Sequence, residues 1–345
     1  MKHKRDDHKV LVFGAAGFIG TYLINELIKK NYQVFASDII KIDPKHYRNI
    51  NVPYVPIDIT NDKDFDKLPQ TQFDVVIHLA THQPANVSAN NYDPNDYINV
   101  NVIGTLNILK FCRKYEVGKI IYACSHRSTQ SLWKKNRALS EEDGRSIKYD
   151  GEYSMFSISE CAAQDCIEHY SVQYGLKSII FRLPPVYGYG PHTVIFKNGK
   201  LIKTGFQIFI ENAMACKPIK VWGDSAIGRD IIYVKDVVSA FIKAINHKKA
   251  HGLFNIASGK AITLREEAET IARVFWGDDT EPKIIEQPEK PNHMDAFVYD
   301  ISKAKRELNW NPQYSFEEML LDYINERNRK KFVYLCLFNR QKKKR

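Results

Sequence analysis

The chain lacks the features that mark disulfide-stapled, secreted and membrane proteins. Its six cysteines form neither a CxxC pair nor a Cys/His metal spacing, so neither a disulfide framework nor a metal site is predicted. The first nine residues contain no apolar signal region. The apolar run 332–338 is far shorter than the roughly 18 residues that span a bilayer. We therefore expect a reduced, cytoplasmic protein.

Acidic residues are absent from the C-terminal tail, residues 327–345, which contains nine Lys or Arg. The formal net charge of +10 is mainly a property of this tail, because residues 10–326 are close to neutral. Residues 332–338 are apolar and lie between two basic clusters, a pattern that can dock on anionic lipid. A weak membrane-surface contact is one interpretation, and packing on the protein itself or on a neighbour is the other. Nucleic-acid binding is not expected.

Six short apolar runs rich in Val and Ile alternate with helical patterns before residue 185. They are KVLVFGA, YQVFASD, VPYVPIDI, FDVVIHLA, GKIIYAC and KSIIFRLP. Runs of this kind are buried on both faces and are separated by helices, so they predict a doubly wound parallel sheet in an α/β protein. Beyond residue 187 the pattern loosens. There, GYGPHTVIFKNGK (188–200) is predicted as a loop, and a helix is predicted near 205–216.

The first strand leads directly into a glycine-rich turn, GAAGFIG, and then into a helical pattern, TYLINELIKK. Gly14, Gly17 and Gly20 let the backbone approach a pyrophosphate, and the helix N-terminus offers free N–H groups to it. Asp38 ends the next strand, where a carboxylate binds ribose hydroxyls and repels a 2′-phosphate. The pattern predicts NAD rather than NADP, although Lys41 lies close by. Asp58 either accepts a hydrogen bond from adenine or caps the following turn.

These patterns divide the chain into three parts. We expect residues 1–186 to form an NAD-binding domain of the Rossmann type, with a return contribution near 228–258. Residues 187–326 are expected to form a smaller α/β substrate-binding cap, and residues 327–345 are the tail. The cleft between sheet and cap is the expected ligand site.

A series of motifs in a characteristic order carries a resemblance to a known family. They are GAAGFIG, Asp58-Ile59, HLA (78–80), NVIGT (101–105), IIYACS, YGLKSIIFRLPPVYGYG, GRDIIYVKDVV (228–238), GLFNIASG (252–259) and DISKAKRELNWNP (300–312). From about residue 9 to residue 327 the chain resembles the extended short-chain dehydrogenase/reductases, which are NAD-dependent nucleotide-sugar epimerases and dehydratases. The resemblance implies a nucleotide-sugar substrate and a homodimer.

The resemblance also implies individual residue roles. The positions implied for NAD are Gly14, Gly17, Phe18, Ile19 and Gly20 at the pyrophosphate, Asp38 at the ribose, Asp58 and Ile59 at the adenine, and Leu79 and Ala80 in the pocket wall. Ser125 matches the residue that hydrogen-bonds the reacting sugar hydroxyl. Arg229 matches the arginine that grips the substrate diphosphate, for which a guanidinium fork is suited. A structural ion pair is the alternative for Arg229.

The helix that carries the family's proton-transfer unit departs from the family pattern. The unit is Tyr-x-x-x-Lys, in which the lysine lowers the tyrosine pKa and holds the nicotinamide ribose. In the better-fitting register, Phe156 replaces the tyrosine and Glu160 replaces the lysine. His126 and Arg127 stand where dehydratases carry an Asp-Glu pair, which argues against their usual elimination route. Glu160 can still accept hydrogen bonds from the ribose.

Three side chains are candidates for the missing acid/base. Tyr153 lies nearly one helical turn before Phe156, on roughly the same face. His126 follows strand five, where this fold places catalytic groups, and Glu160 is a base if the cleft desolvates it. Each has a plain alternative, namely packing, a loop hydrogen bond and a solvated carboxylate, respectively. The sequence therefore supports an enzyme that oxidises a sugar ring carbon through a keto intermediate with a non-standard base, or alternatively an inactive nucleotide or nucleotide-sugar binding subunit.

Overall fold

The computed structural model describes residues 8–40, 50–85, 92–134, 137–151, 153–197, 199–276, 283–292 and 295–332. The strands of these ranges are β1 (Lys9–Phe13), β2 (Gln33–Asp38), β3 (Tyr54–Pro56), β4 (Val75–His78), β5 (Lys119–Ser125), β6 (Lys177–Leu183), β7 (Val186–Tyr187), β8 (Val194–Lys197), β9 (Lys200–Lys203), β10 (Ile219–Trp222), β11 (Gly228–Asp230), β12 (Ile232–Tyr233), β13 (Gly252–Asn255), β14 (Ala261–Thr263) and β15 (Ile284–Gln287). The helices are α1 (Phe18–Lys29), α2 (Pro94–Tyr97), α3 (Gly104–Lys114), α4 (Ser154–Tyr174), α5 (Gly205–Met214), α6 (Val234–Asn246), α7 (Leu264–Trp276), α8 (Ser302–Leu308) and α9 (Phe316–Asn328), with a π-helical segment at Ile98–Ile103 between α2 and α3.

The central sheet has seven strands in the order β3-β2-β1-β4-β5-β6-β13, and all neighbouring pairs are parallel. The six apolar runs of the sequence supply its first six strands, so the prediction of a doubly wound parallel sheet is confirmed. The strand order changes direction between β1 and β4: β2 and β3 lie on one side of β1, and β4, β5 and β6 lie on the other. In such sheets the crevice at the carboxyl ends of the strands, beside this reversal, is where a dinucleotide binds.

Each face of the sheet is covered by helices because the strands are apolar on both faces. Val10 and Val12 of β1 belong to a core that includes residues of α1 and α6. Leu11 and Phe13 point to the opposite face, into a core shared with α3 and α4. Helix α4 therefore lies against the sheet at the same edge at which β4 and β5 end.

The remaining strands form four two-stranded sheets: β10 with β15, β11 with β14, β12 with β7 and β8 with β9. The prediction of a loop at 188–200 is wrong, because Val194–Lys203 folds into the antiparallel hairpin β8–β9. Its turn contains Gly199 at φ 72°, and Phe196 is buried. The helix predicted near 205–216 is α5. The division at residues 186 and 326 remains an interpretation.

The beginning of the tail packs against the body of the protein. Lys331 makes an ion pair with Glu326 at 2.9 Å and lies 4.4 Å from the ring centre of Tyr22. Phe332 is buried between the rings of Phe18, Tyr22 and Tyr189. The residues proposed to contact lipid continue through 333–345, which lie outside the described residues. No helix in the described part of the chain is long and apolar enough to cross a membrane.

Candidate active site

The glycine turn between β1 and α1 has the shape that a pyrophosphate requires. Gly14 has φ 79°, and a Cβ there would lie 2.6 Å from the main-chain carbon of Leu79. A Cβ on Gly20 would lie 2.2 Å from the carbonyl oxygen of Gly14. Gly17 begins α1 in an extended conformation without a side-chain cap in the described structure. The turn therefore leaves the N–H groups that begin α1, including those of Phe18 and Ile19, available to an anion.

Asp38 lies beside this turn at the end of β2. Its Oδ2 accepts a hydrogen bond from the N–H of Ala16 at 3.0 Å, and its Oδ1 accepts one from the N–H of Ile40 at 3.2 Å. Burial raises the pKa of Asp38, and these main-chain donors partly oppose the rise. The structure thus brings Asp38 to the glycine turn, as a ribose-binding carboxylate requires. Lys41 lies outside the described residues.

The other predicted cofactor positions lie along the same edge. Asp58 Oδ1 accepts hydrogen bonds from the N–H and the hydroxyl of Thr60, at 2.9 and 2.7 Å, so this side chain caps its turn. Ile59 is buried against Gly104. The N–H of Leu79, which follows β4, donates to the carbonyl of Phe13 at 2.9 Å, and Ala80 comes next. The adenine role of Asp58 and Ile59 remains a prediction.

The carboxyl group of Glu160 is buried at the carboxyl ends of β4 and β5. Thr81 donates a hydrogen bond from Oγ1 to Glu160 Oε1 at 2.8 Å. The hydroxyl of Tyr122 and the main-chain N–H of Ser125 lie close enough to act as donors that lower its pKa. Burial raises the pKa of Glu160 to about 7, against the lowering effect of these three donors. No ion pair within the described ranges involves Glu160. Because its pKa is about 7, its protonation changes near neutral pH.

Asn101, in the π-helical segment, holds this part of the cleft together. Its Oδ1 accepts from the N–H of His82 at 2.7 Å and lies 3.1 Å from the hydroxyl oxygen of Thr81. Its Nδ2 donates to the carbonyl of His82 at 3.0 Å and to Ser159 Oγ at 2.9 Å. One buried amide therefore ties the loop after β4 to helix α4. Single π-helical turns occur often at functional sites.

Phe156 lies one turn before Glu160, in an aromatic cluster. Its ring is buried and its centre lies 6.1 Å from that of Tyr97. Phe196 of β8 completes the cluster with Met155 packed against it. A phenyl ring has no proton to exchange, so Phe156 contributes only apolar surface to the cleft.

Ser125 and His126 follow β5 directly. Ser125 Oγ accepts a hydrogen bond from the N–H of Arg127 at 3.2 Å. The His126 ring is stacked on Trp133 and Phe297, with ring centres 5.4 and 5.5 Å away. Its Nδ1 lies 3.1 Å from the carbonyl oxygen of Leu183, and because a carbonyl only accepts, Nδ1 carries the proton. Burial and the nearby arginines hold the pKa of His126 well below its usual value.

Tyr153 begins helix α4 and is covered by Arg127. The guanidinium carbon of Arg127 lies 4.1 Å from the centre of the Tyr153 ring. Arg127 Nη1 donates to Gln130 Oε1 at 3.3 Å. The Tyr153 hydroxyl donates to the carbonyl of Phe196 at 3.3 Å. Tyr153 is therefore held between an arginine and the β8–β9 hairpin.

Arg229 on β11 takes part in a buried polar chain. Its Nη2 donates to the hydroxyl of Tyr187 at 2.7 Å, and that hydroxyl donates to Glu267 Oε1 at 3.1 Å. Burial raises the pKa of Glu267, and Arg229 opposes this rise. The Nε of Arg229 is buried and has no acceptor among the described residues. One donor of this guanidinium is thus unsatisfied by the described residues.

The structure brings Ser125 and Glu160 into contact and places His126 and Tyr153 around Arg127. Thr81, Tyr122, Asn101 and Arg127 were not predicted as site residues. Thr81 directly follows the HLA motif and Asn101 begins the NVIGT motif, so the sequence contained a pattern that pointed to both residues. No sequence pattern pointed to Tyr122, because it lies within an ordinary apolar strand. Over the residues that are described, no group of three or more His, Cys, Asp or Glu is arranged to hold a metal ion.

The strand order, the glycine turn and Asp38 define a dinucleotide-binding protein of the Rossmann class. Residues 10–257 match the NAD dependent epimerase/dehydratase family, and the chain belongs to that family. NAD is accordingly its cofactor, and the Gly14–Gly20 turn fits the pyrophosphate of NAD.

Known proteins resemble this chain over nearly their whole length. A Methanocaldococcus jannaschii protein with the provisional name UDP-glucose 4-epimerase is 30% identical over 92% of this chain and 97% of its own. The UDP-glucuronate 4-epimerase of Thermodesulfobacterium geofontis is 29% identical over 91% of this chain and 94% of its own. The crystal structure of the Thermotoga maritima UDP-glucose 4-epimerase with UDP-glucose superposes with a TM-score of 0.75 at 25% identity, covering 93% and 99% of the two chains.

Proposed function

We propose that this protein modifies a nucleotide sugar by oxidising a ring carbon, at C4, to a keto-sugar intermediate, with Glu160 as the acid/base. Membership of the epimerase/dehydratase family and relatives named for UDP-sugars support this substrate class. Bound NAD supplies the hydride acceptor and donor. The net reaction is epimerisation, oxidation or an atypical elimination.

The observation that carries the proposal is the contact between Glu160 and the end of β5. Its carboxyl group lies close enough to the main-chain N–H of Ser125 for this donor to lower its pKa, and the Ser125 hydroxyl is the proposed partner of the reacting sugar hydroxyl. The carboxyl is thus close to the position from which a proton must leave. Its pKa of about 7 matches the operating range of a general base at neutral pH. The raised pKa follows from burial, the condition under which a carboxylate becomes a useful base.

The other two candidates are less suited to proton transfer. The depressed pKa of His126 makes its imidazole a weak base, and its ring is fixed in an aromatic stack. The Tyr153 hydroxyl is directed to the carbonyl of Phe196. We assign both a positioning role at the sugar. Arg229, with its unused Nε, is the proposed partner of the diphosphate.

The experiment that tests this function combines the purified protein with NAD and a panel of UDP-, GDP-, CDP- and dTDP-sugars. NADH absorbance and product mass are followed. With a converted sugar, Glu160→Gln should lower kcat at least about 100-fold, in the range expected for a lost general base. His126→Ala and Tyr153→Phe should cost less. Glu168→Gln is the matched control, because Glu168 is exposed on the same helix. Full activity of the Glu160→Gln enzyme would exclude Glu160 as the acid/base.

A second candidate function is an inactive nucleotide or nucleotide-sugar binding subunit. It is favoured by Phe156, which fills the family's tyrosine position with a buried ring. This function predicts tightly bound NAD and no conversion of any sugar in the panel. A Phe156→Tyr/Glu160→Lys double variant that gains activity would then identify a lost site.

We also propose a homodimer whose helix-helix interface includes α4, as the resemblance to the family implies. Val172, near the end of α4, is 90% exposed. Light scattering should give about twice the 39.9 kDa of one chain. The variant Val172→Arg should shift the mass toward the monomer, and a monomeric wild-type protein would refute the proposed pairing.

A further inference from the structure

Arg127 is a desolvated cation without an acidic partner in the described structure. Its contacts are the Tyr153 ring, 4.1 Å from the guanidinium carbon, and Gln130 Oε1 at 3.3 Å from Nη1. Burial lowers the pKa of Arg127, which means that its surroundings disfavour the charge. An arginine fork has five N–H donors, and a neutral amide oxygen satisfies only one of them here. A cation in this condition is stabilised when an anion binds.

A second arginine, Arg229, lies near enough to disfavour the charge of Arg127 further. Arg229 contributes to the lowered pKa of Arg127, and both arginines contribute to the lowered pKa of His126. The charge of Arg229 is balanced through Tyr187 by Glu267, whereas Arg127 has no such balance. Within the described ranges, Arg127 is therefore the arginine of this pair whose charge no carboxylate balances.

The place of Arg127 in the chain distinguishes its ligand from the diphosphate. It follows Ser125 by two residues and lies at the start of α4, beside the proposed position of the reacting sugar. Arg229, on β11, is the residue proposed for the diphosphate. A ligand group that meets Arg127 is thus on the sugar.

We propose that Arg127 binds a carboxylate carried by the sugar, so that the substrate is a nucleotide uronate rather than a neutral nucleotide sugar. This inference rests on the proposed function and narrows its substrate class. The planar guanidinium pairs with a carboxylate through two parallel hydrogen bonds, a geometry that a hydroxymethyl group does not reproduce.

The test measures binding by calorimetry for two pairs of nucleotide sugars that differ only at C6. The pairs are UDP-glucuronate with UDP-glucose and GDP-mannuronate with GDP-mannose, each titrated into the NAD-saturated protein. In the pair with the matching base, the uronate should bind about 10- to 100-fold more tightly, as charge-assisted hydrogen bonds predict. Arg127→Gln should remove this preference and leave the affinity for the neutral sugar within about threefold. Arg127→Lys should retain part of it.

The controls separate the possible outcomes. Arg306→Gln removes an arginine that is 68% exposed, and it should preserve the preference. Equal binding of uronate and neutral sugar by the wild-type protein overturns this inference and leaves the proposed function standing. A uniform loss of affinity for both sugars and for free UDP or GDP in Arg127→Gln also overturns it, because it places Arg127 at the diphosphate. If neither pair binds and no sugar of the wider panel is converted, the proposed function fails together with the inference; if neither pair binds while another sugar of that panel is converted, only the inference is overturned.

Discussion

At the scale of single residues, position 160 carries a charge opposite to that of the lysine in the family pattern. A lysine at this point would present a cation to the nicotinamide half of the site, whereas Glu160 presents a carboxyl group with a pKa of about 7. Its three hydrogen-bond donors are neutral groups, so they orient the carboxyl without neutralising its charge. Ionisation of Glu160 therefore costs folding free energy in the empty protein.

The pH dependence of stability tests this description of Glu160. Its pKa is about 7 in the folded chain and 4.5 as an ordinary exposed value, so the folded state holds more protons between these limits. The free energy of unfolding of the wild type, relative to Glu160→Gln, should therefore fall by about 2–3 kcal/mol from pH 5 to pH 8. Urea unfolding at both pH values measures it. A difference that does not change with pH would contradict a buried, titrating carboxyl.

Asn101 offers a second test at this scale. The Asn101→Ala change leaves the partly buried N–H and carbonyl of His82 without their partners, so it should cost about 2 kcal/mol of unfolding free energy. It should also weaken NAD binding, because Thr81 and the loop after β4 lose their anchor. Asn99→Ala is the control, since Asn99 is exposed in the same π-helical segment. Equal effects of the two variants in denaturant unfolding would refute the role of Asn101.

At the scale of elements, the contact between α1 and the glycine turn forms the cofactor cradle. The sequence predicted this element well, because glycine spacing, strand and helix are all local patterns. The same local reasoning failed for the β8–β9 hairpin. Its residue Phe196 is buried against Phe156 of α4 and donates its N–H to the carbonyl of Pro84 after β4, and both partners are far away in the sequence.

A Gly20→Ala substitution tests the cradle. The added Cβ would lie 2.2 Å from the carbonyl oxygen of Gly14, so α1 must move away from the turn. We expect at least about a tenfold loss of NAD affinity in calorimetry, corresponding to about 1.4 kcal/mol. Gly205→Ala is the matched control, because it also lies in the first turn of a helix and its Cβ would contact nothing within 4 Å. Unchanged NAD affinity in Gly20→Ala would contradict the assignment of the turn.

At the scale of the whole molecule, the last described residues close against the first helix. Phe332 packs on Phe18 and Tyr22 of α1, and on Tyr189, which follows β7. The beginning of the basic tail therefore packs against α1, the helix whose N-terminus is the predicted pyrophosphate site. Packing on the protein itself was one of the two interpretations of the tail sequence, but the sequence did not identify α1 as the surface that it contacts.

Phe332→Ala should accordingly destabilise the protein as a core truncation does. The expected cost is about 3 kcal/mol of unfolding free energy, because the side chain is only 5% exposed. Saturating NAD should restore part of the lost stability, because NAD is expected to bind at the N-terminus of α1, the helix on which Phe332 packs. Tyr149→Ala, at a residue 76% exposed, is the control. If the two variants melt at the same temperature, the tail does not support the body of the protein in solution.

The sequence by itself determined the family, the six parallel strands and the glycine turn, because each depends on residue types at short, fixed spacings. It also identified Phe156 and Glu160 as the departures from the family pattern. Only the tertiary structure determined the pKa of Glu160, because its burial and its hydrogen-bond donors come from residues 81, 122 and 125, on other segments of the chain. Desolvation and hydrogen bonding set a pKa, and both arise only when distant segments meet.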